Sequence, residues 1–239
     1  MANKGETKSQ KTLSARKVLK VGRKGKVWVI KTGKGAHSKK TSIPIGIALR
    51  EFLGFAKNLK EIKRILHQGF VTVNGVTVKK TNFPIGLFDI IQVIPKKEFY
   101  RVLIDNKSRI TLKKVEGKDA KEKLCKITKK KKNSVKDFAL TTNDGRTIIT
   151  KDNFVVGSTI KISVPEQKVI ENMELKKGNT AFITGGTHAG TIAVITKVIP
   201  GTLMKKSLVS LKEGKKEFST VKEKVFVIGK DKPVIEGIE

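Results

Sequence analysis

Four basic side chains recur at the spacing of one helix face within residues 58–69: Lys60, Lys63, Arg64 and His67. Ammonium and guanidinium groups in such a row bind phosphate oxygens, and a guanidinium can do so through two parallel hydrogen bonds. The other face carries leucine and isoleucine, which predicts an amphipathic helix. A charged stripe is often only a solvated face, but this one has a single sign, which costs repulsion unless an anion lies against it. We therefore favour phosphate contact over plain solvation.

The charge of the whole chain also favours a polyanionic partner. Fifty-two lysines and arginines stand against 21 acids, a formal net charge of +31 on 239 residues, and residues 1–40 contain thirteen basic residues and one acid. Nucleic acid is the polyanion that we expect, because each neutralised phosphate releases a counterion. Aromatic residues make up only 5% of the chain, which argues against extensive base stacking.

We expect mainly backbone contacts to a folded RNA. Arg50 and Arg64 are predicted to make two-bonded phosphate contacts, because the planar guanidinium matches that geometry. The full set of predicted RNA contacts is Arg16, Arg23, Lys24, Lys26, His37, Lys39, Lys40, Arg50, Lys60, Lys63, Arg64 and His67.

The sequence shows no familiar pattern for catalysis, metal binding or nucleotide hydrolysis. The three histidines and the single Cys125 are too widely spaced for a zinc motif. Gly185 and Gly190 have the spacing of a phosphate-binding loop, but residues 191–192 are Thr-Ile, where that loop requires Lys followed by Ser or Thr. We predict no enzymatic activity, no metal and no cofactor. A lone cysteine also fits a reducing compartment, and we expect a cytoplasmic protein that does not bind membranes.

Local signals place the predicted elements along the chain. Ser42 is a candidate N-cap for a first helix that stops at Gly54, and Asn58 with Glu61 forms a capping-box pattern for the second helix. Residues 74–75, Asn-Gly, predict a tight hairpin, and β patterns dominate from there onward. The four lysines 129–132 are predicted at a hairpin tip, either as a solvated loop or as an RNA contact.

Residues 178–195 predict a strand, a glycine-rich loop and a second strand. The loop contains Gly185, Gly186, His188 and Gly190. Its glycines leave room for backbone N–H contacts to RNA or to a neighbouring protein, and a tight turn needs the same residues for positive φ. The two interpretations are compatible, and both stay open here.

Three segments together resemble a known family. Residues 43–94 resemble the S4 RNA-binding fold, or alpha-L motif: a basic helix ending in glycine at 61–69, Val-Thr-Val-Asn-Gly-Val-Thr-Val at 71–78, and a Gly-Leu-Phe-Asp strand entry at 86–89, where most such domains have Gly-Asp. Residues 178–195 resemble a KOW motif with Gly190 as its hallmark glycine and Asn179 in place of the usual aspartate. In this order, with a β-rich segment between them, they are similar to the archaeal and eukaryotic small-subunit ribosomal protein family S4e over essentially the whole chain.

The resemblance implies an α+β multidomain protein. Its parts would be a basic N-terminal extension (1–42), a small S4-type or alpha-L domain (43–105), a central β-rich domain (106–172), and a C-terminal KOW-type small β-barrel with a tail (173–239). It further implies a structural constituent of the small ribosomal subunit that binds folded ribosomal RNA and neighbouring ribosomal proteins and is not a homo-oligomer.

Two other functions are weighed against this one. RNA-modifying enzymes such as pseudouridine synthases also carry S4 domains, but they need a separate catalytic domain with an Asp in a Gly-Arg-Leu-Asp-like setting. Only Asp144-Gly145-Arg146 comes near that setting, in reversed order and in a predicted turn. A transcription factor that contacts RNA polymerase would suit the KOW-like segment alone, without an S4 domain.

Overall fold

The computed structural model describes residues 7–16, 19, 21–22, 24–117, 119–133, 137–202, 204–214 and 216–230. These residues form three five-stranded antiparallel sheets, and their α-helical and π-helical turns lie within residues 45–67. Strands therefore dominate more strongly than the predicted α+β class implies. Among the described residues, no helix has the length and apolar character needed to cross a membrane.

The described part of the N-terminal extension contains a small antiparallel pair. Strand β1 (Ser9–Lys11) lies beside β2 (Trp28–Ile30), with Lys11 opposite Trp28. Val29 and Ile30 are buried in the same core as the first helices, whereas the Trp28 side chain is exposed. The described part of the extension is thus fixed to the body of the protein at β2.

The first predicted helix exists, but its predicted cap is wrong. A two-residue strand β3 (Ile43–Pro44) precedes α1 (Ile45–Ile47), which continues as a π-helical turn over Ala48–Phe52. Pro44 stands at the N-cap position, and the Ser42 hydroxyl donates to the carbonyl of Ser38 at 2.7 Å instead. Pairing of β3 with a later strand holds this backbone extended, so the helix begins two residues later than a Ser42 cap would allow.

The second helix matches its prediction closely. Helix α2 (Leu59–His67) begins at Asn58 with a capping box, in which the Glu61 carboxylate accepts the Asn58 N–H at 3.4 Å. Ile62 and Leu66 are fully buried against the core. The chain leaves the helix through Gly69, whose φ of +75° places it in the left-handed region that glycine adopts without steric cost.

The first sheet follows, in the order β5-β4-β7-β8-β9. The strands of this segment are β4 (Val71–Val73), β5 (Val76–Thr77), β6 (Pro84–Ile85), which pairs with β3 outside the sheet, β7 (Ile90–Val93), β8 (Glu98–Ile104) and β9 (Ile110–Val115). Asn74 and Gly75 have φ of 50° and 76°, the left-handed pair that a two-residue hairpin requires, and they confirm the predicted turn.

The central sheet has the order β12-β11-β10-β13-β14. Its strands are β10 (Glu122–Lys132), β11 (Phe138–Thr142), β12 (Thr147–Thr150), β13 (Thr159–Ser163) and β14 (Val169–Met173). The lysines of 129–132 lie within β10, opposite residues 138–141 of β11, rather than at the tip of the hairpin. The prediction of their place was wrong because β10 is long enough to carry the run into the ladder.

The C-terminal sheet has the order β18-β17-β16-β15-β19. Its strands are β15 (Thr180–Ile183), β16 (Ile192–Ile199), β17 (Leu208–Glu213), β18 (Lys216–Val221) and β19 (Val225–Gly229). The predicted strand, glycine-rich loop and strand are confirmed as β15, residues 184–191 and β16. The last strand returns to pair with β15, so the sheet is not a simple meander.

The core of the C-terminal sheet includes side chains from the first and central sheets. Leu87 and Phe88 are buried in it, and the Phe88 ring meets the Phe226 ring edge-on with 4.9 Å between centroids. These are the two residues that separate Gly86 from Asp89 and depart from the compact pattern. Their structural role is to dock the first sheet against the C-terminal sheet.

Candidate nucleic-acid interface and the junction behind it

The basic face of α2 is exposed along its length. The surface of the helix carries Lys60, Lys63, Arg64 and His67, on the face opposite the buried Ile62 and Leu66. The capping box and the apolar contacts hold the backbone of this helix in place, so its four basic residues project from fixed positions in one row. Such a row can accept a line of phosphate oxygens, because charge-assisted bonds to ammonium and guanidinium groups are the strong ones.

Arg50 differs from the residues of that row. Its side chain is only 11% exposed, and its Nε donates to the Glu51 carboxylate at 2.8 Å. The Nε–H edge of its guanidinium is therefore already hydrogen-bonded within the protein. The structure does not group Arg50 with the α2 row as an open phosphate site.

The predicted contacts in the extension separate into two groups. Lys24, Lys26, Lys39 and Lys40 are exposed. Arg16 is exposed as well, but its Nη1 also donates to the carbonyls of Lys39 and Lys40 and so links the two ends of the extension. Arg23 lies outside the described residues.

His37 lies inside the protein, contrary to its predicted contact with RNA. The imidazole is buried, with Nε2 2.8 Å from Oδ2 of Asp89. The ring packs against Gly86, where an added Cβ would come within 2.4 Å of it. Glycine at position 86 therefore makes room for His37, and the side chain faces Asp89 rather than solvent.

Asp89 is the centre of a buried polar cluster. Its carboxylate accepts the side-chain amide of Asn74, the N–H of Gly86 and the ammonium of Lys123, at 2.8, 2.8 and 2.6 Å. Burial raises the pKa of this carboxyl, but Lys123 and His37 outweigh that effect and hold the pKa far below its usual range. The group stays ionised at neutral pH.

Lys123 joins this cluster to the central sheet. Its Nζ also donates to Asp144 at 2.7 Å, and the side chain is fully buried on β10. Burial lowers the pKa of Lys123, but Asp89, Cys125 and Asp144 raise it well above its ordinary value. We call the set His37, Asp89, Lys123 and Asp144 the Lys123 junction, since it ties together the extension, the first sheet and the central sheet.

Two more buried cations make similar links. The Lys126 ammonium donates to the carbonyls of Lys222, Glu223 and Val225 at 2.7, 3.1 and 2.6 Å, which joins β10 to the C-terminal sheet. Burial, with a smaller contribution from the nearby Lys222, lowers its pKa to about 8. Arg101 on β8 donates to the carbonyls of residues 119 and 122 at the start of the central sheet.

The glycine-rich loop has an exposed tip and a packed end. Gly186 is exposed, Gly185 is half-buried, and the His188 ring stacks on Phe218 with 3.9 Å between centroids. Gly190 has φ of +81°, and an added Cβ would come within 2.6 Å of the Asp105 carbonyl carbon. Gly190 therefore serves both a turn and close packing on the β8–β9 turn, whereas residues 186–187 at the tip of the loop are exposed.

A cleft of about 770 Å³ lies between the extension, the first sheet, the central sheet and the C-terminal sheet. Exposed lysines at its rim include Lys40, Lys205 and Lys206. Within the described ranges, no group of three or more His, Cys, Asp or Glu side chains is placed to hold a metal ion. The chemistry that the surface offers is cationic.

Comparison with known proteins agrees with these features. Residues 51–91 match the model of the S4 domain, and residues 96–169 match that of the ribosomal family S4e. The small ribosomal subunit protein eS4 of Methanosphaera stadtmanae is 36% identical over 98% of both chains, and that of Archaeoglobus fulgidus is 36% identical over 95% of this chain and 97% of its own. The crystal structure of 30S ribosomal protein S4e from Thermoplasma acidophilum is 35% identical, with a TM-score of 0.69 over 79% of this chain and 95% of that one.

Proposed function

Because the chain belongs to the S4e family of ribosomal proteins, we propose that it is a structural constituent of the small ribosomal subunit in the cytoplasm. Its relatives are ribosomal proteins, and the chain is not an enzyme. Its proposed partners are small-subunit ribosomal RNA and neighbouring ribosomal proteins, in a single copy. It would bind folded RNA mainly through the phosphate backbone and so stabilise that fold.

The exposed α2 row is the observation that carries this proposal. Four basic groups of one sign stand on a helix whose other face is buried, within the segment that matches the S4 domain. Repulsion along the row is relieved when phosphates lie against it. We extend the proposed interface to Arg16, Lys24, Lys26, Lys39 and Lys40, with Arg23 retained from the sequence and His37 removed because it is buried.

We also propose the domain division and the type of the C-terminal unit. The strand order β18-β17-β16-β15-β19, with β19 returning to β15, suits a small KOW-type barrel in residues 173–239. Residues 1–42, 43–105 and 106–172 would be the extension, the S4-type domain and the central domain. The open tip of the glycine-rich loop would contact RNA or a neighbouring ribosomal protein.

Charge reversal on α2 tests the interface. We expect Lys63→Glu with Arg64→Glu to weaken binding to a small-subunit ribosomal RNA transcript, and to reduce the slope of log K against log salt by about two, because two phosphate contacts are lost. The control, Lys212→Glu with Lys216→Glu, removes the same charge from exposed positions on the C-terminal sheet. Equal losses from both variants would mean that only the overall field matters and would contradict a specific face.

A further inference from the structure

Trp28 is an exposed aromatic ring on a fixed strand. It is the chain's one tryptophan, and its side chain is 58% exposed on β2. The next two residues, Val29 and Ile30, are buried in the core that also contains the helices. The ring is therefore held outward by an anchored backbone, and it loses little conformational freedom when a flat ligand packs on it.

Two other exposed apolar residues belong to the same β1–β2 segment as Trp28. Val27 precedes it and is 68% exposed, and its carbonyl accepts the N–H of Thr12 at 2.9 Å. That bond brings the segment of Leu13, which is 73% exposed, alongside β2. We call Leu13, Val27 and Trp28 the Trp28 patch. A ligand that packs on the exposed indole and also neutralises the surrounding charge has a flat apolar face and a negative charge.

The charges around the Trp28 patch are positive. Lys11 is the register partner of Trp28 and is exposed, and Lys24 and Lys26 are exposed just before the strand. Glu6 is the one acid in residues 1–40. An acidic protein segment could use the cations, but it would not need a bare indole face. A nucleotide uses both, because its base stacks and its phosphate pairs with a cation.

We propose that Trp28 stacks on an unpaired base of the RNA that the chain binds. This inference rests on the proposed function and adds one base contact to an interface otherwise made with phosphates. The base must be unpaired, because the bases of an A-form helix are stacked inside it and only bulges, loops and ends present a free face. A single platform of this kind is compatible with the low aromatic content of the chain.

The intrinsic fluorescence of the protein reports on this contact alone, because tryptophan excitation sees only Trp28. The probes are an RNA duplex of about 16 base pairs and the same duplex with one bulged adenosine. We expect both to bind at low salt in a gel-shift assay, since the charge is nearly equal. The bulged duplex should quench the emission by about half or more, and the perfect duplex should quench it much less, because both have the same two ends and only the bulged duplex adds an unpaired base to stack.

Substitutions distinguish the contribution of the indole ring to RNA affinity from the contribution of the basic residues. Trp28→Leu should weaken binding of the bulged duplex roughly tenfold and leave the perfect duplex unaffected, with Trp28→Phe between the two. The control Ile149→Ser changes an apolar residue that is 63% exposed on β12, and it should alter neither affinity. Circular dichroism verifies that each variant is folded.

The outcomes distinguish this inference from the proposed function. Binding of both RNAs without quenching, or equal quenching by both, would overturn base stacking and leave the RNA-binding role intact. Failure of both RNAs to bind would overturn the two proposals together. An unchanged affinity of Trp28→Leu for the bulged duplex would also refute the stacking contact.

Discussion

Replacing Lys123 by methionine should cost more stability than any exposed lysine replacement in this chain. The side chain is fully buried, and its ammonium lies 2.6 Å from Asp89 and 2.7 Å from Asp144. Methionine keeps most of the volume but leaves two buried carboxylates without their shared cation. Breaking a buried pair in this way costs about 3–5 kcal/mol. At about 2–4 °C for each kcal/mol, Tm should fall by roughly 6–20 °C at pH 7.

The loss should shrink as the pH falls. In the wild type the pKa values of Asp89 and Asp144 lie below their unfolded values, so both carboxyls contribute stability above about pH 4 and lose it in acid. Without Lys123, both carboxyls lose the largest interaction that lowers their pKa values, while His37 still faces Asp89 and Arg146 still faces Asp144. Both carboxyls therefore take up protons more readily in the folded variant than in the folded wild type. The difference in stability between the wild type and the variant therefore becomes smaller as the pH is lowered from 7 toward about 4.

Thermal unfolding followed by circular dichroism at several pH values measures both effects. The control is Lys114→Met, which breaks the 2.8 Å pair with Glu98 where the lysine is 64% exposed, and we expect little change in Tm from it. Adding Asp89→Asn and Asp144→Asn to Lys123→Met should recover part of the loss, because no buried carboxylate is then left without its cation; Arg146, which loses Asp144, is partly exposed. A Tm drop no larger than that of Lys114→Met, or one that stays constant down to pH 4, would refute this reasoning.

Two further substitutions test the other joints. Gly190→Ala places a methyl group 2.6 Å from the Asp105 carbonyl carbon at φ +81°, so we expect the free energy of unfolding in urea to fall by more than about 2 kcal/mol. The control Gly214→Ala, at φ +57° with no atom near the added methyl group, should lower it by only about 1 kcal/mol. Similar losses from the two variants would argue against close packing at Gly190. Lys126→Met leaves three carbonyls without their donor and should cost about 1–3 kcal/mol at pH 7. The pKa of Lys126 is about 8 in the folded state and about 10.4 in the unfolded state, so the unfolded state binds more protons between these pH values. The free energy of unfolding of the wild type should therefore rise relative to that of Lys126→Met from pH 8 to 10. A fall in this difference would contradict the burial of the lysine.

Local signals predicted the elements that depend on neighbouring residues. The capping box and apolar spacing of α2, the Asn74-Gly75 hairpin and the strand pair around the glycine-rich loop all follow from residues a few positions apart. Their agreement with the structure reflects the fact that helix caps and tight turns are decided by short-range geometry. The exposed α2 row was predictable for the same reason.

Two of the wrong predictions, those for Ser42 and His37, involve partners far apart in sequence. Ser42 fails as a cap because Ile43 pairs with Ile85, and no local pattern reveals that pairing. His37 was grouped with the exposed cations because the segment around it is basic, but its position is decided by Asp89 and by the space above Gly86. The sequence does contain one signal that the surroundings of Asp89 are buried. Leu87 and Phe88 are an apolar insertion in an otherwise compact motif, and such an insertion indicates a contact with another part of the protein.

The buried cations bear on the proposed binding of RNA. Arg101, Lys123 and Lys126 each reach from one sheet to groups of another part of the chain, and their acceptors are carbonyls or carboxylates inside the protein. Their charge is not available to phosphates, so the RNA-facing charge is smaller than the net value of +31 suggests. In return, these bonds fix the three sheets relative to one another. A rigid array of exposed cations avoids the cost of ordering domains at the moment of binding. The loss of one joint should therefore weaken RNA binding even though no surface charge changes.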